Sequence, residues 1–278
     1  LMRDTTTGYH DAEIEFEKAV VLDSSNDDAI AGWALAVAFG RPDRIDEPEA
    51  QAAEAMLIAA EQRGGSPRVY VAHAHFLLAR DGNANDITVI AERGRLAKSN
   101  SDKALASLAV GQAQLKNNPV AAEPSFAEAL QLDPKLRRAM VVQARLDIAL
   151  GRYKAASDLL QKRLELDADQ WEASAMLARL QIEVGDVPAA RKTIDAALAA
   201  APKNGRAKIA QAQLAYQHLQ DTASAIASLK ALAESAELDP TDKPAAWLQL
   251  GTAQRIAGDL DGAIDSFDRS IEADAPAR

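Results

Sequence analysis

The chain has 278 residues, no cysteine and a formal net charge of −10 at pH 7. The lack of cysteine excludes disulfides, thiolate catalysis and cysteine-ligated zinc, and the acidic charge argues against binding nucleic acid through bulk electrostatics. Hydrophobic residues make up 48% of the chain but aromatic residues only 4%, so Ala, Leu, Val and Ile must form the core, and Ala and Leu favour helix.

The first predicted element is a single amphipathic helix over residues 9–23. Ala12, Phe16, Ala19 and Val20 lie on one face of it. A lone helix of that length is marginal in water and needs a neighbouring surface. We expect that the chain begins inside a repeat of a longer protein; a protein that starts with an unusual cap is the alternative.

Seven predicted pairs of helices follow, and residues 1–26 count as a partial unit. The unit at 27–66 carries an insertion at 40–48 between its helices. Extra residues in the unit at 205–243 are expected to extend its second helix through 233–236. The predicted units are 27–66, 67–102, 103–136, 137–170, 171–204, 205–243 and 244–277.

Glycine and proline recur in the same register as the apolar helix faces. Gly151 and Gly185 lie 34 residues apart, and Gly258 fills the same slot near the end. Pro134 and Pro202 lie at twice that interval. Because Gly permits a tight turn and Pro cannot continue the helix it follows, the spacing predicts helix, Gly turn, helix, then a Pro or Asp turn.

This pattern resembles the tetratricopeptide repeat. The best copy is at 244–277, where the signature slots hold Trp247, Leu250, Gly251, Gly258, Asp259, Ala263 and Phe267. The resemblance implies an all-α fold: a right-handed α-solenoid of about seven helix-turn-helix repeats plus a leading helix, with residues 1–278 as one solenoid. A small residue in the first helix is expected where the two helices of a unit touch.

The resemblance also implies a non-catalytic scaffold that binds a partner peptide or helix along a concave groove. In this family the first helix of each unit lines that groove. Because a planar guanidinium suits carboxylates and peptide carbonyls, the expected partner is a protein or peptide segment with acidic side chains or a free C-terminus. The expected peptide-binding residues are Arg138, Arg145, Arg179, Arg206, Gln213, Tyr216, Thr252 and Arg255.

Two interpretations of these surfaces stay open at this point. The arginines bind a ligand, or they pair with Glu172, Glu183 and Asp147 in a solvated lattice in which each pair contributes about 0–1 kcal/mol. The corresponding positions of the N-terminal units are apolar, and they form either a wall for hydrophobic side chains or part of the core. These positions are Ala31, Leu35, Ala38, Val71, His75 and Leu78.

Alternative functions place the chain in a larger context. It is then the recognition region of a multidomain protein, with an attached enzyme or with a role in bacterial cell-envelope, pilus or exopolysaccharide assembly, or it is a self-associating scaffold. Cytoplasm and periplasm both fit the composition. The start at 1–7 is too polar for a signal peptide.

The sequence offers no residues for other chemistry. His73 and His75 face different sides of a helix and cannot share a metal, and no Gly-rich phosphate loop follows a strand. No run of about 18 apolar residues is present, so no membrane insertion is expected. We expect no catalytic residue, no metal, no cofactor and no nucleic-acid partner.

Overall fold

In the computed structural model, residues 6–115, 117–166 and 171–274 are described, and within these ranges the chain is helical without a strand. The polar residues 1–5 lie outside them. The helices are α1 (Thr6–Leu22), α2 (Asp27–Gly40), α3 (Pro48–Gln62), α4 (Pro67–Ala79), α5 (Ala84–Gly94), α6 (Asn100–Leu115), α7 (Pro119–Leu132), α8 (Arg137–Ala149), α9 (Tyr153–Leu166), α10 (Trp171–Glu183), α11 (Val187–Ala200), α12 (Gly205–His218), α13 (Thr222–Glu234), α14 (Lys243–Ala257) and α15 (Leu260–Asp274).

The chain divides into two compact units, Leu1–Leu146 and Asp147–Arg278. We call them the N-terminal unit and the C-terminal unit. After α1, each predicted repeat contains two helices, so α2, α4, α6, α8, α10, α12 and α14 are first helices and the others are second helices. None of the described helices is long and apolar enough to cross a membrane.

The turns between the helices of a repeat confirm the predicted role of glycine. Gly151, Gly185 and Gly258 have φ angles of 72°, 76° and 85°, a region that L-residues enter only at a cost of roughly 1–2 kcal/mol. Asp81 and Gln220 take the same kind of conformation in two other repeats, each with φ of 56°. The turn geometry is therefore kept even where the glycine is missing.

The predicted contact between the helices of a repeat is also confirmed. The Phe126 ring lies directly against Gly111, and the Phe267 ring lies against Gly251. A Cβ on Gly251 would be 2.7 Å from that ring. Glycine is required here because the second helix brings an aromatic side chain onto the backbone of the first.

The extra residues of the repeat at 205–243 do not extend its second helix, and that expectation was wrong. α13 ends at Glu234, and the next residue, Ser235, has extended backbone angles. Leu238 is buried and lies over Gly205, where no side chain competes for the space. A short 3-10 helix, Pro240–Asp242, then leads into α14. The chain leaves the helix because this route buries Leu238.

The insertion at 40–48 forms a short 3-10 helix, Pro42–Arg44, as a linker between α2 and α3. Every residue of α2 from Ala29 to Ala38 is buried, because α1, α3 and α4 all pack against it. Of the two interpretations of the apolar N-terminal positions, the structure supports the core. Ala31, Leu35, Ala38, Val71 and His75 are buried, and Leu78 is partly buried.

Candidate functional site

Aromatic rings from α1, α2 and α4 form a row in the N-terminal unit. The Phe39 ring lies edge-to-face against the ring of Tyr9 on α1, at 5.8 Å between centroids, and against His75, at 4.9 Å. The His75 Nε2–H donates to the Leu105 carbonyl oxygen at 2.9 Å. We call Tyr9, Phe39 and His75 the aromatic row. These contacts join α1, α2, α4 and α6 within one core.

The aromatic row keeps its histidine neutral. The pKa of His75 is lowered from 6.5 to about 4, chiefly by burial and also by the nearby positive charge of Arg138, while the hydrogen bond to Leu105 acts in the opposite direction. Because a carbonyl oxygen only accepts hydrogen bonds, Nε2 carries the single proton of the ring. The imidazole therefore acts as a core side chain at neutral pH.

Arg138, one of the predicted peptide-binding residues, covers the aromatic row. Its guanidinium lies 3.9 Å from the centroid of the Phe39 ring and 5.3 Å from that of Tyr9. Its Nη2 also donates to the Phe39 carbonyl oxygen at 3.1 Å. Since Arg138 is on α8, Tyr9 is on α1 and Phe39 is on α2, these contacts join the end of the N-terminal unit to its beginning. Arg138 therefore stabilises the fold of this unit.

Polar side chains form a row along the first helices α10, α12 and α14 in the C-terminal unit. The Gln213 Nε2 on α12 donates to Glu183 Oε1 on α10 at 2.9 Å. The Tyr216 hydroxyl, also on α12, donates to Gln249 Oε1 on α14 at 2.6 Å. We call Glu183, Gln213, Tyr216 and Gln249 the polar row. Two hydrogen bonds therefore join three successive first helices.

The surroundings of Tyr216 keep its hydroxyl protonated. Burial raises the pKa of this phenol, and the negative charge of Glu183 raises it further. A hydrogen bond with Gln217 and the positive charge of Arg255 act in the opposite direction. The hydroxyl therefore remains a hydrogen-bond donor to Gln249 at neutral pH. The influence of Arg255 on this pKa also indicates that its charge lies near Tyr216.

The remaining predicted arginines have different environments. Arg206 Nε lies 2.5 Å from Oδ1 of the buried Asp242, a partner that sequence reasoning missed. Arg145 is exposed but is engaged in an interaction within the chain. Arg179 and Arg255 are exposed, and neither forms an ion pair or hydrogen bond with any residue that the structure describes. These two cations are available to a ligand.

Thr252, the last of the predicted residues, is partly exposed on α14. Its hydroxyl donates to the Leu248 carbonyl oxygen at 2.9 Å, within its own helix. That bond leaves the oxygen lone pairs as acceptors. Of the predicted peptide-binding residues in this unit, the structure buries Gln213 and Tyr216 in hydrogen bonds between first helices, whereas Thr252 is partly exposed and Arg179 and Arg255 are exposed.

A hydrogen bond between the two helices of a repeat recurs three times among the residues that the structure describes, and it was not predicted. In each case a Ser or Thr hydroxyl on the second helix donates to a Gln Oε1 near the end of the first. The pairs are Ser125–Gln114 at 3.1 Å, Thr193–Gln181 at 2.8 Å and Ser266–Gln254 at 2.6 Å. The signal is a glutamine followed 11 or 12 residues later by a hydroxyl. Two of these bonds, Thr193–Gln181 and Ser266–Gln254, hold α10 and α14, which carry part of the polar row, against their second helices.

Two family models, both described as tetratricopeptide repeat, match residues 158–214 and 219–278. The search of curated proteins finds no match. Among solved structures, the chain is similar to a tetratricopeptide repeat protein from Parabacteroides merdae, with a TM-score of 0.63, 15% identity, and coverage of 89% of this chain and 94% of that chain.

The fold is also similar to that of the human IFIT1 dimer with PPP-AAAA, with a TM-score of 0.66, 14% identity, and coverage of 96% of this chain and 69% of that chain. The APC/C hetero-tetramer Cut9-Hcn1 gives a TM-score of 0.53 and 18% identity over 90% of this chain. This chain covers 54% of that matched chain, about half of its length. At these identities the likeness describes the fold alone.

Proposed function

We propose, since the chain is a tetratricopeptide repeat protein, that it is a non-catalytic scaffold whose C-terminal unit binds an extended, acidic peptide. The observation that carries this proposal is the pair of exposed arginines, Arg179 and Arg255, beside the polar row. Repeat solenoids of this kind bind partners across several repeats, and the three first helices α10, α12 and α14 offer such a surface.

The chemistry of this surface suits a peptide with carboxylates. Arg179 lies on α10 one helical turn before Glu183, and Arg255 on α14 is close enough to affect the pKa of Tyr216. A guanidinium binds a carboxylate through two parallel hydrogen bonds. The amide of Gln249 and the hydroxyl of Thr252 lie on the first helix that carries Arg255, and both can bond to a peptide backbone. An acidic side chain or a C-terminal carboxylate would meet an arginine.

The N-terminal unit lacks the same features. Tyr9 and His75 of its aromatic row are buried, as are Gln213 and Tyr216 of the polar row, but the arginine beside the aromatic row, Arg138, is already bonded to Phe39. Opening that row would expose rings and break a cation–π contact, at a cost of about 1 kcal/mol or more for the latter. We therefore assign peptide binding to the C-terminal unit and a structural role to the first helices of the N-terminal unit.

The test is the affinity of the chain for labelled peptides, measured by fluorescence anisotropy. The peptides are an extended acidic sequence with a free C-terminus, the same sequence amidated, and a basic counterpart. The binding variant is Arg179→Glu with Arg255→Glu. The control is Arg191→Glu with Lys192→Glu, which changes the net charge equally at exposed positions on the second helix α11.

We expect the acidic peptide to bind and the binding variant to lose about tenfold or more in affinity, equivalent to about 1.4 kcal/mol. The control variant should change affinity by no more than about twofold, because distant surface charges are screened. Equal losses in both variants would show that bulk charge, and not this site, attracts the peptide. Tighter binding of the basic peptide would also contradict the proposal.

A further inference from the structure

The last helix carries an apolar stripe that nothing in the described chain covers. Leu260, Ile264 and Ile271 are 61%, 60% and 71% exposed, and Phe267 between them is partly exposed. Their spacing of four, three and four residues places them on one side of α15. We call Leu260, Ile264, Phe267 and Ile271 the terminal face.

In the two preceding repeats, the equivalent apolar positions are covered by the next helix of the chain. Equivalent residues lie at the same distance after the turn residue, which is Gly258 before α15, Gln220 before α13 and Gly185 before α11. In α13, the equivalents of Ile264, Phe267 and Ile271 pack in a core cluster with Trp247 and Leu250 of α14. In α11, the equivalents of Leu260, Phe267 and Ile271 pack with Ala210 and Leu214 of α12. These equivalents are Ile226, Leu229 and Ala233 in α13, and Val187, Ile194 and Leu198 in α11. In both cases the cover is an α-helix.

The charges beside the stripe identify the kind of helix that fits. Asp261, Asp268 and Glu272 each directly follow a residue of the stripe, which places them about 100° around the helix from it. All three are exposed. The only basic residue of α15, Arg269, is already paired with Asp265 at 3.0 Å and lies over the Trp247 ring. The stripe is therefore bounded by an acidic edge.

This acidic edge argues against a second copy of the chain as the occupant. A twofold dimer in which two copies of α15 pack antiparallel would bring two identical acidic edges together, and like charges in close contact are unfavourable. A helix with lysine or arginine beside its apolar residues would instead pair with that edge.

We propose that the terminal face docks an amphipathic helix of a partner protein, with an apolar side against α15 and basic residues along its acidic edge. This is the helix-in-groove mode of recognition. The site is separate from the polar row, because it uses the stripe of α15 instead of the row along α10, α12 and α14. The same scaffold would then hold an acidic peptide and a basic helix at different places.

The experiment uses the full chain and a synthetic helical peptide as the probe. The peptide has the sequence of residues 243–257, stapled so that it is helical, because α14 already covers the equivalent face of α13. Its only charged side chains are Lys243 and Arg255. A second peptide has glutamate at both of these positions. Anisotropy titrations measure both peptides against the wild-type chain.

The binding variant is Ile264→Gln with Ile271→Gln, and both positions are exposed enough for the chain to fold normally. The control is Leu150→Gln with Val184→Gln, two exposed apolar residues of the same unit. We expect the basic peptide to bind the wild type and the control equally, and the binding variant about tenfold or more weakly. The glutamate peptide should bind at least about tenfold more weakly than the basic one.

Three results would overturn the proposal. The first is an absence of binding by the basic peptide, and the second is equal binding to the wild type and to the Ile264→Gln, Ile271→Gln variant. The third is a dimer of the wild-type chain, seen by sedimentation at low salt, that this variant abolishes. That last result would assign the terminal face to a second copy of the chain.

Discussion

The two units join their neighbouring helices through opposite kinds of side chain. In the N-terminal unit the aromatic row consists of Tyr9, Phe39 and His75, and Arg138 closes over it. In the C-terminal unit the polar row consists of amides, a hydroxyl and a carboxylate, joined by the Gln213–Glu183 and Tyr216–Gln249 hydrogen bonds. The difference shows that one repeat architecture accommodates either aromatic or polar contacts between its helices, and the proposed binding site lies beside the polar ones.

The largest effect expected from this contrast is the pH dependence of the stability of the N-terminal unit. The folded pKa of His75, about 4, lies below the value of 6.5 expected for the unfolded chain. The unfolded state therefore takes up the proton first, so stability is present above pH 6.5 and is lost as the pH falls toward 4. The loss attributable to His75 at pH 4 is about 3 kcal/mol.

The measurement is the free energy of urea unfolding at pH 7 and pH 4 for the wild type and for His75→Gln. Glutamine can still donate to the Leu105 carbonyl but does not titrate in this range. The wild type should lose about 3 kcal/mol more than the variant between the two pH values. Parallel pH profiles would mean that His75 is not held neutral in the core.

A somewhat smaller effect is expected from Phe39→Ala. This change removes the ring that joins Tyr9, His75 and Arg138, and since Phe39 is only half-buried the cost should be about 2 kcal/mol. Urea unfolding monitored by circular dichroism gives the value. The matched control is Leu260→Ala, which removes an exposed side chain and should change stability by less than about 0.5 kcal/mol. If Phe39→Ala lowered the free energy of unfolding as little as the control does, the aromatic row would not stabilise the N-terminal unit.

In the C-terminal unit, Tyr216→Phe should cost about 1 kcal/mol, because the change removes one buried hydrogen bond to Gln249 and leaves the ring in place. The control is Tyr153→Phe, at an exposed position where no measurable change is expected. Thermal unfolding detects the difference. If Tyr216→Phe were as stable as the wild type, the Tyr216–Gln249 bond would not contribute to the polar row.

The smallest effect is a gain in stability from Gln220→Gly. Gln220 has a φ of 56° at the turn between α12 and α13, where glycine stands in other repeats. Glycine relieves that strain but has more freedom in the unfolded chain, so the net gain is roughly 0.5 kcal/mol. Gly185→Ala is the opposite change and should destabilise the chain. Destabilisation by Gln220→Gly would mean that the turn conformation is not strained.

The sequence was sufficient to predict the fold, because turn glycines, apolar faces and small contact residues recur in register. Gly185, Gly251 and their equivalents act locally, so their spacing carries the information directly. The leading helix and the insertion at 40–48 were found for the same reason. The route of residues 235–242 was not, since it depends on Leu238 finding space over Gly205 in another part of the repeat.

The candidate site could be predicted only in part. Helix phase placed Gln213, Tyr216 and Arg255 near one another, because the first helices of neighbouring repeats pack side by side. The same reasoning gave no warning that Arg138 would reach Tyr9, 129 positions earlier in the chain. It also missed Asp242 as the partner of Arg206. Long-range contacts of this kind depend on how several repeats stack, and no local pattern encodes them.

The most direct test of this account is hydrogen–deuterium exchange of the chain with and without a bound acidic peptide. Binding at the polar row should slow exchange in α10, α12 and α14 and leave α2 and α4 unchanged, because ligand contact suppresses local opening. Protection that appeared in α2 and α4, with none in α10, α12 and α14, would place the peptide in the N-terminal unit and contradict the division of roles.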